Sequence, residues 1–149
     1  SKVYRYLLRN NEEQLVSLQT ETDMLQSYYF LLKKRHGDAL NITLDIPEKY
    51  LDAEMPPLTL QMLIENSINQ NVLTRNAPLN IFITVVNEQI EITHNLQPKL
   101  YGSLESEEAI ENISNKFSLL TKGNIMISEQ EQKRIIRLPL LAQKEPRTA

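Results

Sequence analysis

The sequence predicts an α+β fold of two layers, one sheet with helices covering one face. Three observations carry this. Apolar residues recur at helical spacing near the start of the chain, two later stretches alternate strictly and break at turn-like dipeptides, and helical and strand patterns interleave rather than segregate. The order is helix, strand, helix, two strands, helix, two strands, with no internal repeat.

The first helix begins as a heptad seam. Tyr4, Leu8, Asn11, Leu15, Leu18, Thr22, Leu25, Tyr29 and Leu32 follow spacings of four and three, with polar interruptions at Asn11 and Thr22. Such a seam can lie on its own domain or pair with another chain, and the spacing leaves both open. Ser17 can cap a new helix, which allows a break near Val16 and Ser17. The run "KKRHG" closes the helix, its cations suiting the carboxyl end of the dipole and Gly37 the left-handed stop.

"ALNITLDI" alternates, with Leu40, Ile42, Leu44 and Ile46 on one face of a half-buried strand. "PEKYLDAEMPP" is a connecting loop, and Pro57 suits the first turn of the next helix. In "LNIFITVVNEQIEITHN" Leu79, Ile81, Ile83 and Val85 alternate, as do Ile90 and Ile92. Asn87 and Glu88 lie between them, which predicts a hairpin. "LQPKLYGSLES" has no period and is a loop. A third helix follows, capped by Ser106, with Ile110, Ile113, Phe117 and Leu120 as its buried stripe and Gly123 as its end. "NIMISEQEQKRIIRLPLL" is a second hairpin, Ile125 and Ile127 facing Ile136, Leu138 and Leu140, and "AQKEPRTA" is a disordered tail.

Composition narrows the function. The 149 residues are 41% apolar and 23% charged, enough for one core. A net charge of -3 argues against nucleic acid as a partner. There is no cysteine, hence no disulfide or thiolate metal site, and two histidines are too few for an imidazole cluster. No run approaches the roughly 20 apolar residues that cross a bilayer. No signal peptide is evident, and a chain that opens on Ser1 inside a helical pattern is expected to be a piece of something longer. Three glycines allow no glycine-rich loop, and neither a P-loop nor a GxSxG pattern occurs.

One helix stands out. In "PPLTLQMLIENSINQN" one arc carries Leu60, Leu63, Ile64, Ser67 and Ile68. The other carries Gln61, Met62, Glu65, Asn66, Asn69 and Gln70, with no lysine or arginine. A solvated face would ordinarily use those stronger helix formers. Glu65 and Asn66 are adjacent, about 100° apart around the axis, so both can border one cleft. A carboxylate and an amide oxygen placed so can hold magnesium and orient a phosphate.

This helix resembles the N-box of the LytS-like sensor histidine kinases, which carry a GHKL, or Bergerat-type, ATPase domain. Their form is approximately "PPLxLQPLVENAIKHG". The segment "SLQTETDMLQSYYFLLKKRHGDALNITLDIP" is similar to what precedes that domain in the family. "EAIENISNKFSLLT" falls where the family has "GIGLxNIxxRLxLL", and "IIRLPLL" matches its last strand. The resemblance implies a mixed, mostly antiparallel sheet under helices, binding ATP and magnesium. It implies residues 1–37 as the end of a dimerisation hairpin and connector, 38–141 as the ATP-binding domain and 142–149 as a tail. Carried over, Asn66 is the magnesium ligand and Glu65 the general base toward the acceptor histidine. Asn69 and Gln70 stand at phosphate-facing positions, His94 at the position that meets adenine, and Asn112 in the second glycine box. A response regulator, a homodimer formed through the N-terminal helix, and a membrane-anchored parent with this part in the cytoplasm are implied as well. The acceptor histidine is expected upstream of Ser1, since neither His36 nor His94 stands in a matching motif.

The sequence also departs from the family. Asn69 and Gln70 replace a lysine and a histidine. His94 replaces an aspartate that accepts from the adenine amino group, and Leu96 a glycine. Glu107 and Ala109 replace the two glycines of the second box. Glu105, Glu107 and Glu108 in the first turn stabilise a helix, each by about 0.3–1 kcal/mol, and repel a triphosphate. Weakened nucleotide binding is the expectation, and two functions follow from it: a kinase module that still binds ATP, or a nucleotide-poor scaffold for dimerisation or signalling.

Overall fold

The computed structural model describes residues 15–101 and 104–140. The seam positions Tyr4, Leu8 and Asn11, and the tail, lie outside the described residues.

Val16–Ser17 forms a short strand, β1, paired antiparallel with β3, Glu54–Met55. The seam is therefore not one continuous helix. It restarts at Ser17, whose extended backbone and hydroxyl cap the next turn by accepting the Thr20 N–H at 3.1 Å. Helix α1, Leu18–His36, buries Leu18, Thr22, Leu25 and Leu32, so over this span the seam serves the chain's own core. Gly37 ends it at φ 57, a conformation that suits glycine, and returns its N–H to the Lys33 carbonyl.

The main sheet has the order β2-β4-β5-β7-β6, where β2 is Leu40–Asp45, β4 Leu79–Val86, β5 Gln89–Asn95, β6 Met126–Gln130 and β7 Lys133–Pro139. Only the β2–β4 pair is parallel, because helix α2, Thr59–Gln70, crosses over between them. Both hairpins turn on two residues at positive φ, Asn87-Glu88 and Glu131-Gln132. Alternation then stacks apolar rows across the sheet. Leu44, Ile83, Ile92 and Ile136 form one, and Val85, Ile90 and Leu138 another. A third runs Ile42, Ile81, His94, Arg134, ending in two basic side chains that share the core face. The helices α1, α2 and α3, Leu104–Thr121, supply the second layer, with Leu25, Leu60, Leu63, Ile64, Ile113 and Phe117 closing the core. The expected α+β two-layer fold is borne out.

Three boundaries differ from expectation. α2 starts at Thr59, not at Pro57, with Leu58 held at φ 62 before it. The reason is Glu21 of α1, whose carboxylate accepts the N–H groups of Leu58 at 2.8 Å and Leu60 at 3.2 Å. The cap thus comes from another helix. α3 starts at Leu104, so Ser106 lies inside it. At its other end Lys122 takes the left-handed conformation, φ 61. Gly123 is there for space: a Cβ on it would lie 2.7 Å from Pro139 Cγ.

Candidate functional site

α2 buries Leu60, Leu63, Ile64, Ser67 and Ile68, the arc expected from the sequence. On the other arc Glu65 and Asn69 are exposed, whereas Asn66 is only 4% exposed. α3 packs across it, and the Asn66 amide Nδ2 donates to the Ser106 carbonyl at 2.8 Å. This bond fixes which way the carboxamide faces. Its oxygen, Oδ1, is buried without a hydrogen-bond partner, a condition that ordinarily costs about 1–3 kcal/mol.

Between α2 and α3 lies a cleft of about 690 Å³. Glu65, Asn66 and Asn69 line one wall, and Glu105, Ser106, Asn112 and Lys116 the other, with Lys99 between. The structure thus brings together Glu65, Asn66, Asn69 and Asn112. Gln70 lies round the corner, in a neighbouring pocket of about 290 Å³ that also includes Asn69, Leu96, Lys99, Glu107 and Glu129.

His94 is elsewhere. It is buried under α2 with both ring nitrogens engaged: one meets the Asn95 carbonyl at 2.9 Å and the other the Ser67 hydroxyl at 3.0 Å. A carbonyl only accepts, so Nδ1 carries the proton and Nε2 accepts from Ser67. Burial pushes its pKa below the usual imidazole value, and the nearby Arg134 charge adds to that, so the ring is neutral. With no free acceptor and no place in the cleft walls, it does not fit the expected adenine-facing role. Its inward direction follows from the β5 alternation Ile90, Ile92, His94.

Two residues were missed by sequence reasoning. Arg134, 5% exposed, donates through Nη1 to the Gln70 amide oxygen, while its Nε has no partner. The signal was its spacing of two and four from Ile136 and Leu138 on the inward face. Glu21, 1% exposed, was legible as a carboxylate three residues after Leu18 and four before Leu25, on the buried arc. Burial pushes its carboxyl up to about 7, against the lowering effect of the Leu58, Leu60 and Thr59 amides.

The cleft fits a divalent ion only with help. Among the described residues no cluster of three histidine, cysteine or carboxylate side chains exists. Magnesium is commonly held by one or two protein oxygens, waters and the substrate's phosphates. The orphaned Asn66 oxygen beside Glu65 matches that pattern.

No family model matches the chain. It is 34% identical over 94 residues to the sensor protein LytS of Oceanobacillus iheyensis, a match covering 62% of this chain and 16% of that protein. It is 27% identical over 88 residues to the sensor histidine kinase/phosphatase LytS of Staphylococcus aureus, covering 59% of this chain and 15% of that one. The match spans about a sixth of these relatives' length. Among solved structures, the nucleotide-free catalytic domain of histidine kinase ThkA aligns with a TM-score of 0.58 at 11% identity, covering 87% of this chain and 99% of that one. The fold is that of a histidine-kinase catalytic domain. The Acinetobacter baumannii histidine kinase AdeS aligns at a TM-score of 0.55 and 17% identity, over 93% of this chain and 72% of that chain. The cytoplasmic segment of histidine kinase QseC gives 0.56 at 11%, over 87% and 78%. The LytS-like resemblance therefore holds, and Glu65 and Asn66 lie on the helix whose sequence carries it.

Proposed function

We propose that the chain is the ATP-binding, catalytic module of a two-component sensor histidine kinase. The observation that carries this is the buried, unpartnered amide oxygen of Asn66 beside Glu65, in a cleft that two helices wall. Asn66 would ligate magnesium through Oδ1, its orientation set by the Ser106 carbonyl. When bound, magnesium ATP supplies the γ-phosphoryl group and offsets charge on its oxygens. Glu65, exposed at the cleft wall, accepts the proton of the attacking imidazole. A P–N bond to that imidazole forms as the P–O bond to ADP breaks. The imidazole belongs to a histidine outside these 149 residues, because His94 is engaged in the core and His36 stands in no acceptor motif. From there the phosphoryl group passes to a response regulator. The parent is a homodimeric, membrane-anchored sensor with this module in the cytoplasm; among the described residues no helix is long and apolar enough to cross a membrane.

Calorimetric titration of the chain with magnesium ATP tests the reading. A saturable heat that Asn66→Ala abolishes supports it, and silence at millimolar nucleotide overturns it. Silence would favour the second reading, a nucleotide-poor scaffold. Two observations motivate that one: the engagement of His94, and the acids Glu105, Glu107 and Glu108 at the start of α3.

A further inference from the structure

We infer that Lys99 and Lys116 hold the polyphosphate tail of the nucleotide, replacing the cation that α2 lacks. The inference rests on the reading of the cleft as a magnesium-nucleotide site and names two residues that the sequence did not single out. α2 presents amides and one carboxylate to the cleft and no cation. An anion there must find positive charge on other elements, and among the described residues of the cleft walls only Lys99 and Lys116 carry it.

Lys99 is on the loop after β5. It lines the main cleft, the smaller pocket beside Gln70 and a third depression that Tyr28, Arg35, His36 and Glu65 share. Its place is fixed by backbone. The Lys99 N–H donates to the Gln70 carbonyl at 3.1 Å, at the open carboxyl end of α2. The preceding residues zip onto the same helix end: Val72 N–H meets the Gln97 carbonyl at 2.7 Å, and Gln97 N–H meets Asn71 Oδ1 at 2.7 Å. The loop is thereby stitched to the helix that carries Glu65 and Asn66. Lys116 approaches from the opposite wall, one helical turn beyond Asn112 on α3. Neither lysine is in a salt bridge; the one such bridge among the described residues joins Arg137 to Glu91.

The same walls carry Glu65 and Glu105, so the two cations are matched by two anions. A free polyphosphate therefore gains little net attraction. With a divalent ion at Asn66 the balance turns positive, and the two ammonium groups become available to phosphate oxygens. The inference thus couples the lysines to the metal: their contribution appears with magnesium and shrinks without it.

The test is calorimetry on the chain with ADP and AMP, each with magnesium and with chelator, comparing the natural sequence, Lys99→Gln, Lys116→Gln and Lys49→Gln. Lys49 lies outside these pocket walls, and circular dichroism melts verify that each variant folds. Lys99→Gln and Lys116→Gln are each expected to weaken magnesium-ADP binding roughly tenfold, as loss of one charge-assisted bond does. Magnesium-AMP should lose less than threefold, the Lys49 variant nothing, and the salt dependence of ADP binding should flatten in both cleft variants. Equal losses for ADP and AMP, or unchanged ADP affinity, overturn the role of the lysines while leaving the nucleotide site standing. No binding by the natural sequence overturns the site and the inference together.

Discussion

Replacing Glu21 by glutamine sets two opposed effects against each other at one buried group. Its carboxylate accepts the Leu58 and Leu60 N–H groups and caps the helix that carries Glu65 and Asn66. Hydrogen bonding and the helix dipole favour the ion, and removal from water disfavours it. The carboxyl is pushed up from 4.5 to about 7, so burial outweighs the three amides. The folded state then binds more protons than the unfolded state between these values. Stability from this group is fully present below pH 4.5 and is lost as pH rises through 7. Each pKa unit corresponds to about 1.4 kcal/mol, so the loss approaches about 3 kcal/mol by pH 8. Glutamine does not titrate; its amide oxygen can accept one of the two N–H groups, while its NH2, a donor only, faces the other, a cost that does not vary with pH. Urea denaturation of both proteins from pH 5 to pH 8 is the assay. The stability of Glu21→Gln relative to the natural protein should rise by about 2–3 kcal/mol between pH 5 and pH 8, whatever constant offset the lost acceptor sets. Comparing the two cancels His94, whose lowered pKa acts with the opposite sign: it destabilises the fold as pH falls below the imidazole range. If the difference between the two proteins does not change from pH 5 to pH 8, or changes the other way, the amide cap outweighs desolvation and the reasoning fails.

Gly123→Ala should destabilise by about 1–3 kcal/mol in urea, because the new methyl meets a stiff proline ring at 2.7 Å, and Pro139→Ala should restore most of the loss. Arg134→Met should leave stability within about 1 kcal/mol of the natural protein or raise it. It removes a buried cation that makes no salt bridge, Glu129 on the neighbouring strand acting on it only at longer range, and the half-buried Gln70 oxygen can turn to water. A melting temperature markedly below that of the natural chain would mean that the guanidinium has a partner or a packing role beyond Gln70.

The sheet and the helix stripes were legible because alternation and helical spacing are set by which side faces the core. Leu79 to Val85, Ile90 and Ile92, and Leu60 to Ile68 all fall where their periods place them. The site was legible only in part. Glu65 and Asn66 could be placed on one cleft from helix geometry alone, but the burial of Asn66 depends on α3, which is 40 positions away along the chain. The start of α2 was missed for the same reason: its cap is the side chain of Glu21, on another helix, and no local pattern around Pro57 reports it. His94 was assigned to the base because it stands where the resemblance has an aspartate, while its parity with Ile90 and Ile92 already directed it inward.

The polar end of the row Ile42, Ile81, His94, Arg134 explains how a domain of this fold can keep a cleft yet alter what the cleft recognises. An aspartate at position 94 would place a second buried anion under α2, able to accept from a ligand. The imidazole there turns both nitrogens to protein groups, and the guanidinium beyond it draws the Gln70 oxygen. The interior satisfies much of its own hydrogen bonding beneath the helix, which leaves recognition to the upper wall: the Asn66 oxygen, Glu65 and the two lysines. On the function proposed above, those groups would act on metal and phosphate and not on a base. Binding should therefore depend more on magnesium and on phosphate number than on which purine is offered, and a strong preference for adenine over guanine nucleotides would show that the base is read by a group not yet identified.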